Sequence, residues 1–150
     1  MAHGGRKAKG KVMGQTQPNM SLVELQSNLK LVVSREVTVR ESDSLVDTHI
    51  QVNHRDTLIF HASGQIWAGV WFTGNNGPDG WTNVDNDPKF PLPGTHPYCL
   101  LGVLDTGPFF VGSYHRIDSA GDQGELLLQI NDDVHGNGSG AFTCLVQQYR

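Results

Sequence analysis

The sequence predicts an all-β chain folded as a small antiparallel β-sandwich of the jelly-roll kind, with about eight strands. Three observations carry that expectation. The 150 residues include 18 glycines and 7 prolines, which weaken helix interiors and serve tight turns. Apolar and polar residues alternate with a period of two through much of the chain, as on strands with one buried face. Turn-forming clusters recur between these runs, which is the pattern of a sandwich. The length suffices to bury a core, and a hydrophobic fraction of 37% with 17% charged residues is ordinary for a globular domain.

Taken in order, residues 1–20 are rich in Gly, Lys and Gln without periodicity, and read as a disordered basic tail. Residues 21–150 read as a single domain. Its first segment, residues 21–33, is open between a short helix and an extra strand. Ser21 and Glu24 fit a capping box, and Leu22, Leu25 and Leu29 sit at helical spacing. From Glu36 the period becomes two: Val37 and Val39, then Val46, Thr48, Ile50 and Val52, with turns at Ser42-Asp43-Ser44 and Asn53-His54-Arg55-Asp56. Residues 57–62 suit a core strand. Ser63-Gly64 leads into residues 65–72, which carry Trp67 and Trp71. The stretch from Asn75 to Pro97 contains five prolines (Pro78, Pro88, Pro91, Pro93 and Pro97) that forbid a central strand. Four strands are expected beyond it, over 98–104, 108–112, 125–131 and 141–148.

Charge is unevenly placed. Arg6, Lys7, Lys9 and Lys11 precede the first acid, Glu24, and from Ser21 onward 7 basic residues face 15 acidic ones, a balance of -8. The folded domain is therefore expected to repel nucleic acid, and only the basic head suits a polyanion. No apolar run approaches the ~20 residues of a membrane span. The basic stretch is not followed by the apolar segment of a secretory signal, which leaves the compartment open between cytoplasm and non-classical export. Cys99 and Cys144 lack metal-site spacing; they read as buried thiols or as a disulfide between neighbouring strands.

The segment with the densest chemistry is Asn131-Asp132-Asp133-Val134-His135-Gly136-Asn137-Gly138-Ser139-Gly140. Carboxylate and amide oxygens on a glycine-bent loop are the hard donors that Ca²⁺ takes, six to eight at a time. The same residues also build long hairpin turns without any metal. The loop has no EF-hand frame.

This loop, with Leu128-Gln129-Ile130 before it, Ala141-Phe142 after it and Asp56-Thr57-Leu58-Ile59-Phe60-His61-Ala62-Ser63-Gly64 upstream, resembles the LecA-like family of bacterial galactophilic, calcium-dependent lectins. The Gly77-Pro78-Asp79-Gly80 loop falls at a comparable place, and the likeness spans roughly residues 35–148. The resemblance implies a galactose-binding-domain-like jelly roll with one Ca²⁺ at its edge, bound directly to two sugar hydroxyls. It implies that Asp132 and Asn137 ligate calcium and touch the sugar, with backbone carbonyls near Ala68 and in Val134-His135 as further ligands. Gly138 departs from the family pattern, standing where a second asparagine would supply a side-chain oxygen, and the loop is shorter. Asp133 is the candidate replacement. The family's His-Pro-x-Gln sugar contacts have Asp87-Pro88 as nearest counterpart, with His96-Pro97 further along.

Among the aromatics, Trp67 and Trp71 read as core or loop-anchoring residues, and Trp81, in an irregular loop, as the indole nearer to a sugar. His135 lies in the acidic loop, where it can contact ligand; the other histidines are scattered singly. No nucleophile elbow or phosphate loop is present, so the chain is expected to bind carbohydrate rather than to catalyse, and to gain avidity as a homo-oligomer. The alternative is a structural or protein-interaction sandwich without metal or sugar.

Overall fold

The computed structural model describes residues 28–150. The basic tail and the first part of the helix-or-strand segment, to residue 27, lie outside the described residues. Leu31–Arg150 forms one unit built from nine strands: β1 (Leu31–Arg40), β2 (Val46–Val52), β3 (Thr57–Trp67), β4 (Asn75–Asn76), β5 (Leu100–Leu104), β6 (Gly107–Phe110), β7 (Tyr114–Ile117), β8 (Gly124–Ile130) and β9 (Ser139–Tyr149). The described residues contain no helix.

Two antiparallel sheets result. In one, β9 lies between β1 and β3, and the far edge of β3 is paired by β7 over Leu58–His61 and by β4 at Ile66–Trp67. The other runs β2-β8-β5-β6. Alternation explains which face is buried: Phe142, Cys144 and Val146 on β9 and Leu126, Leu128 and Ile130 on β8 all point inward. Val37, Val39, Leu58, Phe60, Ile50, Val52 and Leu100 complete the core. Apolar burial of this kind is the main favourable term in folding.

The structure departs from the expectations at three places. The runs 57–62 and 65–67 are one strand, because β3 passes straight through Ser63-Gly64. Gly64 pairs with Phe142 at φ 102, and a Cβ there would overlap the Ala141 carbonyl, so this glycine serves a close approach of strands. The strand expected over 65–72 stops at Trp67, and Val70 then closes a turn by accepting from the Thr73 backbone N–H at 3.1 Å and the Thr73 hydroxyl at 2.8 Å. β7 was not foreseen. For the open 21–33 segment, Leu31–Val33 belong to strand β1. Cys99 and Cys144 are free and buried, one beside β5 and one in β9 of the other sheet, and burial pushes both thiols up to about 12.

The proline-rich stretch packs back on the sandwich. Asp85 and Thr95 form an isolated bridge, and Gly94 N–H donates to Asp85 O at 2.8 Å. The buried amide of Asn131 holds this stretch, accepting from Leu92 N–H at 2.9 Å and donating to Leu92 O at 3.3 Å and His96 O at 3.1 Å. Its backbone adds Tyr98 N–H at 2.7 Å and Cys99 O at 2.9 Å. The stretch therefore hangs from the first residue of the acidic loop.

Candidate functional site

Strand register places the acidic loop between two other chain segments. β9 pairs Ala141 with Arg40 of β1, and Glu41 N–H donates to Gly140 O at 3.0 Å, so Glu41 flanks one side of the loop's end. On the other side Ser139 pairs with Trp67 of β3, which sets Ala68 beside Gly138. The fit there is tight: a Cβ on Gly138 would overlap the Trp67 carbonyl oxygen, and one on Gly69 would lie 2.6 Å from the Asn137 amide carbon.

Between these segments acceptors outnumber donors. Asp132 is 3% exposed; its Oδ1 accepts from Val134 N–H at 3.1 Å, and its Oδ2 has no partner. Burial, opposed in part by the Val134 N–H and reinforced by the Asp133 and Glu41 carboxylates, pushes its carboxyl up to about 7. Glu41 is 2% exposed, and its Oε2 accepts from Gly136 N–H at 3.1 Å. With its amide nitrogen turned inward, Asn137 faces three oxygens at once: Glu41 Oε2 at 3.1 Å, Val134 O at 3.0 Å and Ala68 O at 2.9 Å. An amide has only two N–H protons for three acceptors, and Asp132 Oδ2 stays unpartnered beside them. With the oxygen turned inward, the cluster is oxygen throughout and calls for a cation. Among the described residues no three His, Cys, Asp or Glu side chains converge as a metal group, so any cation here relies on amide and carbonyl oxygens.

The remaining expected residues divide. Asp133 and Asp87 both approach Lys89 Nζ at 3.7 Å, so one lysine draws the 87–89 segment to the rim of the loop. These contacts are solvent-exposed, and such pairs contribute little to stability. His135 is half-buried, and its Nδ1 has no partner. Trp81 packs against the core, edge-on to Phe72 at 5.7 Å. Trp71 reverses the expectation that it is a core or anchoring residue: it is 85% exposed, edge-on to Phe72 at 5.6 Å, in the turn that follows Ala68. Trp67 lies at the margin of exposure, donating from Nε1 to Val70 O at 3.3 Å. Sequence reasoning missed both Glu41 and the exposure of Trp71. An acid directly after a strand is the only local hint for Glu41, and its partner Gly136 is 95 positions away.

A depression lined by Asn53, His54, Arg55, Asp56 and Arg150 lies at the other end of β9. Its carboxylate, Asp56, is already engaged by Arg150 Nε at 2.9 Å and Gln148 Nε2 at 2.7 Å.

No family model matches the chain, and no curated protein matches it. Among solved structures it is similar to the N-terminal domain of EclA, described as a PllA-like lectin, with 20% identity and a TM-score of 0.59 over 79% of this chain and 97% of that one. At that identity the likeness speaks for architecture: this chain shares the β-sandwich fold of that domain.

Proposed function

We propose that this domain is a non-catalytic carbohydrate-binding module, a divergent LecA-like lectin that holds a galactose-type or related sugar through Ca²⁺ at its acidic edge. The observation that carries the reading is the surplus of oxygen acceptors around Asn137, together with the buried Asp132 carboxylate of the same loop, which bonds Val134 N–H, feels the Glu41 charge and leaves its Oδ2 unpartnered. The residues fit calcium: Asp132, Asn137 and the carbonyls of Ala68 and Val134 offer hard oxygens only. Calcium held by these residues would offer its remaining coordination positions to sugar hydroxyls, with Asp132 accepting from those hydroxyls and the Asn137 amide donating to them. Asp87, Asp133 and His135 line the rim, and the Trp71 face is available to the C–H side of a pyranose. One shallow site per domain gains strength from presentation in a homo-oligomer.

A second reading has its own observation. The inward amide nitrogen of Asn137 lies within hydrogen-bond distance of Glu41, Val134 and Ala68 and can serve two of the three without metal, which suits a structural or interaction module. Calorimetry with Ca²⁺, then with galactosides, separates the two. The lectin reading expects calcium-dependent sugar heat and a melting temperature lowered by EDTA; neither effect leaves the metal-free module.

A further inference from the structure

Gly138 lacks the side-chain oxygen that a calcium site would draw from that position, and the geometry shows why nothing larger stands there: its Cβ direction is filled by the Trp67 carbonyl. The oxygen comes instead from another segment. We infer that Glu41, at the corner after β1, is a direct calcium ligand that replaces the donor absent at Gly138, so that the ion ties three separate parts of the chain together. The inference rests on the calcium reading above.

Three observations support it. Glu41 is a carboxylate buried to 2% exposure with no Lys or Arg bonded to it among the described residues; it takes the N–H of Gly136 and, when the Asn137 amide nitrogen faces inward, one N–H of that amide. Buried carboxylates are almost always paired or bound to metal. Its Oε2 lies 3.1 Å from the inward atom of the Asn137 amide, which is itself 2.9 Å from Ala68 O and 3.0 Å from Val134 O. Oxygens about 3 Å apart are neighbours on a shell of ~2.3–2.6 Å radius, the range calcium takes. Finally, the buried Asp132 Oδ2 beside them has no partner of its own. Asp133, the replacement expected from sequence, reaches Lys89 Nζ at 3.7 Å.

With Glu41 the protein supplies five oxygens: Asp132, Glu41, Asn137 and two carbonyls. Two carboxylates then balance the dication, and one to three of the six to eight positions remain, enough for a pair of vicinal hydroxyls at seven- or eight-fold coordination. The ligand set so formed links the β1–β2 corner, the turn at Ala68 and the acidic loop.

The test is calcium calorimetry on EDTA-stripped protein, with melting curves in EDTA, for wild type, Glu41→Gln and Glu41→Asp. Glu41→Gln keeps an oxygen for Gly136 N–H and removes the charge. The expected result is a loss of calcium affinity of about 10- to 100-fold or more with the EDTA melting temperature unchanged or raised. Undiminished affinity in Glu41→Gln overturns the inference while calcium binding by the wild type keeps the lectin reading intact. A wild type that binds no calcium overturns both. Should Glu41→Gln not fold, Glu41→Asp decides: it keeps the charge but withdraws the oxygen, so weakened calcium binding supports direct ligation and unchanged binding overturns it.

Discussion

Gly138 lies against Trp67 so closely that a methyl group on its Cα would overlap the tryptophan's carbonyl oxygen. The contact joins the acidic loop to the end of β3, one residue before Ala68. Gly138→Ala is therefore expected to cost about 1–3 kcal/mol by forcing strand and loop apart. Urea denaturation measures it, and a midpoint equal to wild type would show that the contact gives way freely.

Asp132 is buried with one oxygen unsatisfied, so in metal-free protein its charge is a burden on the fold. Asp132→Asn keeps the acceptor for Val134 N–H and removes that charge. Expected at pH 7.5 in EDTA is a melting temperature no lower than wild type. Added calcium then raises the wild type alone, by about 2.7 kcal/mol at a hundredfold excess over the dissociation constant.

Asp56 sits in the opposite situation. Burial acts to raise its carboxyl, but hydrogen bonds from Arg150, Asn53 N–H and Gln148, with the Arg150 charge, outweigh that and hold it below 3.8. A carboxyl whose folded value is the lower one stabilises the protein above the unfolded value, and that stabilisation fades as pH falls through the folded one. Arg150→Ala should cost about 1–2 kcal/mol at pH 7, less than a fully buried pair because Arg150 is partly exposed. The gap between variant and wild type should close below pH ~4. Parallel urea titrations at pH 7 and 3 check this; a gap that persists in acid would assign the loss to packing.

Trp71 stands out in water, so Trp71→Ala should leave stability within about 0.5 kcal/mol of wild type. If its face meets a pyranose, sugar affinity falls about 3- to 10-fold, the equivalent of ~0.6–1.4 kcal/mol. Calorimetry with a galactoside reads the effect, and intact affinity would remove Trp71 from the site.

The sandwich was legible because strands with one wet face write their period into the sequence, as residues 125–130 and 141–148 do. Gly64 misled because it separates two apolar runs in the sequence, yet β3 passes through it against Phe142 and the Ala141 carbonyl of β9. Trp71 misled for a related reason: two indoles four residues apart suggest one buried face, yet β3 ends between them and the turn at Val70 sends Trp71 outward. Asp132, Asn137, Val134 and Ala68 were placed by resemblance, and the fold brings all four to one edge. Glu41 was out of reach, because its place beside the loop follows from the pairing of β1 with β9 and from no local pattern.

The amide of Asn131 grips only main-chain atoms of Leu92 and His96. The proline-rich stretch can therefore exchange its side chains, Asp87 and Lys89 included, without losing its mooring to the acidic loop. On the proposed lectin reading, such an arrangement would separate recognition from architecture, with a rim that can change while the acidic loop beneath it stays put. For protein engineers it marks residues 82–89 as the segment to randomise and Asn131, with the buried Phe90, as the residues to leave alone.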